Sequence, residues 1–139
     1  MACADFNKTV TVFCHYRDTV NQKINWYKFT VQNAFTKVEV KTAFDGAAIA
    51  QTASYICRIA KNPLYVSPEA WNALQNKSER FTLKPGDIIY FGTTSDTISD
   101  GSSGNDFLKA HSDNAFTIKV VRNNSDFFGL GEHYFCSGV

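Results

Sequence analysis

The chain contains no apolar run near the roughly 20 residues that cross a bilayer, and its opening segment, Met1 to Lys8, carries no hydrophobic signal core. A soluble, unexported protein with no membrane partner is therefore expected. Charge of one sign is lacking too. Fourteen Lys and Arg stand against 13 Asp and Glu, a formal net charge of +1, so no basic field exists to hold a polyanion and DNA binding is not expected as the main task. Proline is scarce, at three residues, and no internal repeat is visible.

Cysteine is sparse and scattered. Cys3, Cys14, Cys57 and Cys136 form no C-x-x-C, which argues against a zinc knuckle or a thioredoxin-like site. Cys14 continues the alternation Val10, Val12, Cys14, Tyr16; Cys57 lies between Tyr55 and Ile59; Cys136 follows Tyr134 at a spacing of two. Each falls on the expected inner face of a strand, as a reduced, buried small hydrophobe. A Cys14–Cys136 disulfide and a Cys/His metal site are the alternatives.

What the sequence has in excess is aromatic: twelve Phe, six Tyr and two Trp in 139 residues. Such residues suit strands and contact surfaces. The length fits one domain with a self-standing core.

Residues Thr9 to Tyr16 alternate polar and apolar with β-branched and aromatic types, predicting a first strand. The pattern returns from Ile24 to Val40, with Tyr27, Phe29 and Val31 alternating with Lys28, Thr30 and Gln32, and a break expected at Asn33-Ala34. Val38 and Val40 then share one face, with Lys37, Glu39 and Lys41 on a solvated one. Asp45-Gly46 is a turn signal, Ala47 to Ala53 has no clear assignment, and Ala53 to Ala60 reads as a strand. Ser67-Pro68-Glu69 opens a helix of about two turns through Leu74, with a serine cap, proline in the first turn and an early acid. Trp71 and Leu74 should pin it to the core.

Pro85-Gly86 predicts a tight turn ahead of Ile88-Ile89-Tyr90-Phe91, a strand expected to be central and buried on both faces. Thr93 to Asn114 is dense in Ser, Asp, Gly and Thr, with an apolar island at Phe107-Leu108, and reads as a long loop adding little to the core. Ala115 to Arg122 resumes alternation, Asn123 to Asp126 turns, and His133 to Cys136 is a last short strand. Residues 1–139 are thus expected to form one mainly β domain. Its fold would be a small antiparallel β-barrel or sandwich with one short helix, an N-terminal arm at 1–8 and an extended loop at 93–114.

Tests for chemistry come back weak. Gly101-Ser102-Ser103-Gly104 and Gly129-Leu130-Gly131 lack the Gly-Lys-Ser/Thr of a phosphate loop. Asp96, Asp100, Asn105, Asp106 and Asp113 cluster as calcium ligands do, but their spacing does not fit an EF-hand, and solvated turn acids are the better reading. Cys14 and His15 are adjacent and so point to opposite faces of a strand. His133 with Cys57 or Cys14 is geometrically possible as a dyad, but nothing local marks either thiol as activated. His111 reads as an exposed loop residue. Trp26-Tyr27-Lys28-Phe29 imitates a nucleic-acid stacking surface, against the overall neutrality.

The landmarks Phe13-Cys14-His15-Tyr16-Arg17-Asp18, Trp26-Tyr27, Tyr65-Val66-Ser67-Pro68-Glu69-Ala70-Trp71, Phe81 to Ile89 and Phe116-Thr117-Ile118 come in an order that resembles a family of small tailed-phage and prophage proteins. The resemblance runs from Thr9 to Cys136. Such proteins are similar to the neck proteins of tailed bacteriophages, the head-closure or stopper subunits.

The resemblance implies a structural virion protein of the head–tail connector, assembled in the bacterial cytoplasm, with no enzymatic activity, cofactor or metal. Implied partners are identical subunits in a homo-oligomer ring, a portal or adaptor protein above, a tail terminator or tail tube below, and packaged DNA in the channel. The implied contact residues lie in the loop: Ser95, Asp96, Asp100, Asn105, Asp106, Phe107, Leu108, Lys109 and His111. The arm Met1 to Lys8 and the turn from Asp18 to Lys23 would add to them. The alternatives are a tail-completion or terminator subunit and, in another class, a small β-barrel enzyme or ligand-binding module using a Cys/His pair.

Overall fold

Alternating apolar residues become strands wherever a partner strand covers their inner face. The computed structural model describes residues 7–45, 48–124 and 133–138. Its strands are β1 (Lys8–Asp18), β2 (Lys23–Asp45), β3 (Ala48–Ala60), β4 (Ile88–Phe91), β5 (Ala115–Thr117), β6 (Val120–Asn124) and β7 (His133–Gly138). Two short helices, α1 (Pro68–Asn72) and α2 (Asn105–Ala110), and a 3-10 turn at Lys77–Glu79 complete it.

All strand pairs are antiparallel, in the order β5-β4-β1-β2-β3-β7-β6. The edge strands β5 and β6 are consecutive in the chain, separated by Ile118 and Lys119 alone. A sheet whose two edges are joined by two residues must curl until those edges meet, so it closes as a small barrel. Backbone bonds carry the pairing across the join: Gly86 N donates to Ile118 O at 2.9 Å, and Lys119 N to Ser137 O at 2.8 Å.

The interior holds Val10, Val12, Cys14, Val31, Ile59, Ile89, Phe116 and Cys136, all buried. Helix α1 stoppers one end. Ser67 caps it by accepting a bond from Ala70 N, Pro68 opens it, and Trp71 is fully buried against Tyr16 and Tyr27, as the sequence predicts. The helix stops at Asn72, shorter than its polar-apolar pattern implied, and Leu74 still packs on the core.

Several expectations need correction. Asn33 does not end the second strand. It takes a left-handed φ of 61° where the β1–β2 register slips, from Lys8 opposite Ala34 to Val10 opposite Val31. The extra residue is absorbed as a bulge and β2 runs on. The unassigned small-residue stretch is β3 from Ala48 onward; Ala47 lies outside the described residues, as do Gly46, Met1 to Phe6, Asp126, Gly129 and Gly131. Strand β4 is buried on both faces at Ile88 and Ile89 and is paired on both sides, with β1 and with β5.

The largest correction concerns the segment 93–114, which is not an extended loop free of the core. It folds back as a strap over the outer face of β1, β4 and β5. Ile98 and Phe107 are buried there against Phe13, Ile88 and Ala115, with Trp26, Tyr90 and Leu108 at the margin, and α2 adds a second helix. The physical reason is that Phe13, Ile88 and Ala115 point outward from a closed barrel and need an apolar cover, which Phe107-Leu108 supplies. Gly104 permits the approach: a Cβ there would lie 2.7 Å from Ile88 Cδ1, and its φ is +84°. Phe107→Ala should therefore cost about 3 kcal/mol by urea denaturation; a midpoint unchanged from the parent would return the strap to the status of a loose loop.

Candidate assembly surface

Strands β2 and β3 outrun the barrel. Strand β1 pairs with β2 only as far as Ala34, and β7 pairs with β3 only as far as Tyr55. Beyond those points β2 and β3 pair with each other, and seven register pairs, from Glu39 opposite Ser54 to Asp45 opposite Ala48, have no third strand among the described residues. The product is a two-stranded ribbon about 20 Å long at about 3.3 Å per residue. At its base Val38 and Val40 are 43% and 61% exposed, opposite Tyr55 and Ala53 in register, and Lys37 pairs with Glu39 at 3.1 Å.

An isolated two-stranded ribbon is marginal in water, and its outer edges leave backbone N–H and C=O groups unpaired. The ribbon thus presents two strand edges that no third strand covers among the described residues.

The strap holds the contact residues implied by the sequence. Ser95, Asp96, Asp106, Phe107 and His111 line one open cavity of about 490 Å3, together with Ile98 and Ser102. His111 is not simply exposed: its Nε2 lies 2.8 Å from Asp96 Oδ2, and its ring packs on Phe107 and Tyr90. Asp100 is elsewhere, accepting a bond from Trp26 N at 3.3 Å, and Leu108 packs on the barrel. Asn105 and Lys109 are exposed on α2. Main-chain oxygens fasten the strap, with Trp26 Nε1 donating to Ser102 O at 2.7 Å, Lys28 Nζ to Thr94 O at 2.7 Å and Tyr55 Oη to Ser112 O at 2.8 Å. Among the described residues, no group of three or more His, Cys, Asp or Glu side chains is arranged for a metal ion. Nor is any helix there long and apolar enough to cross a membrane.

The thiols are inert by position. Cys14, Cys57 and Cys136 are free and buried, with Cys57 directly opposite Cys136 in the β3–β7 register. Burial pushes Cys14 and Cys136 up to about 12 and Cys57 well above its ordinary value. A nucleophilic thiol needs the reverse shift. Cys14 Sγ donates to Thr82 O at 3.3 Å, while His15 points to the other face of β1, as adjacency in a strand requires.

These shifts carry a pH sign. The folded state holds its thiol protons above the pH at which the unfolded chain releases them. The contribution is therefore complete below about pH 9 and lost as pH rises from there toward 12. Raising the pH from 7 to 10 should lower the folding free energy by about 1.4 kcal/mol per thiol, about 4 kcal/mol for the three. Urea denaturation at the two pH values checks this, with the triple Ser variant as the reference in which the drop disappears.

One cluster escaped the sequence reading. Asp87, fully buried, accepts from His15 N at 3.0 Å, meets His15 Nδ1 at 2.5 Å, and takes Lys84 Nζ on both oxygens at 2.9 and 3.1 Å. Gly86, with φ +95°, lets the His15 ring lie against the turn; a Cβ would come within 2.8 Å of His15 Cε1. Lys84-Pro85-Gly86-Asp87 looked like a turn and nothing more. The available signal was an acid entering a strand buried on both faces, which must find donors or be expelled.

No curated protein and no solved structure matches this chain. A family model matches residues 5–139, nearly its whole length, and the chain belongs to that family of unknown function, DUF6751.

Proposed function

We propose that the chain is a non-enzymatic structural subunit of a tailed-phage virion, a head-closure or stopper protein that forms a ring at the neck. The observation that carries this reading is the ribbon of β2 and β3, seven pairs of strand beyond the barrel with two open edges. The β2 edge and the β3 edge differ, so a contact between one subunit's β2 and the next subunit's β3 is head-to-tail and generates a ring when the rotation closes. Elsewhere the barrel is closed and, among the described strands, offers no comparable edge.

In this reading the portal or adaptor protein lies above the ring, the tail terminator or tail tube below, and packaged DNA passes through. A net charge of +1 suits a channel that must not retain DNA. The strap, fastened to its own barrel, acts as a rigid rim and not as a reaching arm.

The test replaces 39–54 by an Asn-Gly turn joining Val38 to Tyr55. The barrel should stay folded, with its melting temperature within a few degrees of the parent. Particles complemented with the shortened protein should lose infectivity and leak DNA, while immunolabel on parent particles should sit at the neck. Label on the tail shaft would move the protein to the terminator class; full infectivity without the ribbon would remove the proposal.

A further inference from the structure

At the rim of the barrel near α1, a cavity of about 290 Å3 is lined by His15, Tyr16, Arg17, Ile24, Asn72 and Lys84. We propose that this cavity binds a terminal phosphate group, one with at least three unesterified oxygens, that is, inorganic phosphate or a phosphate monoester.

The argument starts from charge. Two cations, Arg17 and Lys84, line the cavity, and no carboxylate does; Asp87 is buried behind it and occupied by Lys84 and His15. The Arg17 side chain is exposed and its guanidinium has no hydrogen-bond or ion-pair partner among the described residues. Its guanidinium fork is the group best matched to two phosphate oxygens. It also borders a second cavity, of about 540 Å3, with Lys23 and Gln22, so the ligand has room to extend from the phosphate. The one acid on that side, Asp18, has its oxygens taken by Val20 N, Asn21 N and Asn21 Nδ2.

His15 supplies the selectivity. Because a carboxylate only accepts, the proton between His15 Nδ1 and Asp87 belongs to Nδ1, and Nε2 is left without a protein partner among the described residues. A ligand that fills the two-pronged fork of Arg17 and also reaches His15 must offer three unesterified oxygens on one group. Inorganic phosphate and a phosphate monoester do; a phosphodiester, with only two, does not. The imidazole is held for this by Asp87 and by the glycine beside it, so the site is formed before the ligand arrives.

All six lining residues belong to one chain, so the site is testable on the purified protein without assembled particles. Inorganic phosphate titrated against the protein, at constant ionic strength set with chloride, should shift the His15 Cε1–H resonance saturably. Arg17→Gln, at an exposed position with no partner to lose, should weaken the affinity about tenfold and leave the melting temperature unchanged. A single-stranded oligonucleotide without terminal phosphate should not bind in an anisotropy assay, whereas a nucleoside monophosphate should compete with phosphate. A saturable response absent for phosphate, an R17Q titration equal to the parent's, or an oligonucleotide that binds through Arg17 while phosphate does not would each overturn the proposal.

Discussion

Trp71→Ala should lower the folding free energy by about 3–5 kcal/mol, a large fraction of what a domain this size has to lose. The indole is fully buried and stoppers the barrel at α1. Tyr27 and Tyr16 meet its ring edge-on at centroid distances of 5.6 and 6.4 Å, Lys84 Nζ lies 4.4 Å from its centroid, and Nε1 donates to Lys77 O at 3.3 Å. Helix α1 spans five residues, too few to hold itself, so it is helical because the tryptophan is seated. Removal opens a cavity and frees the helix together. Urea denaturation followed by near-UV circular dichroism is the measurement; a loss under about 1 kcal/mol would mean that α1 is a surface decoration and the barrel closes without it.

Asp87→Ala should be as damaging, for a different reason. The carboxylate is wholly buried and receives a backbone donor, an imidazole and an ammonium. Deleting it strands Lys84, whose side chain is itself largely enclosed, and releases His15 from the turn. Breaking one partner of a buried charged pair costs about 3–5 kcal/mol, whereas replacing both by apolar groups is far milder. Asp87→Leu combined with Lys84→Met should therefore recover most of the stability lost by D87A. If the double variant is no better than D87A, the pair is not what holds the turn to β1.

The fold was legible in the sequence where one physical rule dominated. Alternation of Val10, Val12 and Cys14 against polar neighbours gave β1 its inner face, and Ser67-Pro68 gave α1 its start, because period-two burial and capping are local. What the sequence hid was non-local. Asn33 looks like a strand breaker by propensity, and only the β1 register slip shows it as a bulge. The 93–114 segment is polar by count, but two side chains, Ile98 and Phe107, decide its path once Phe13 and Ile88 are known to point outward.

The candidate surface was partly visible. The solvated alternation at Val38 to Lys41 and the Asp45-Gly46 turn pointed to a hairpin, but its projection depends on where β1 and β7 stop pairing, which no local pattern encodes. Of the implied contact residues, five share a cavity and the others do not. The Asp87 cluster was missed because its three partners come from β1 and from the turn itself, 72 residues apart.

The closure of the barrel by one segment has a consequence for synthesis. Strand β7, last in chain order, is inserted between β3 and β6, which precede it. Until residue 138 has left the ribosome, β3 and β6 both lack the neighbour that separates them from water. The nascent protein must wait with exposed strands, and its folding rate is governed by contacts between distant parts of the polypeptide. Cells making it at high level should therefore need chaperone cover until β7 has emerged, more than after it.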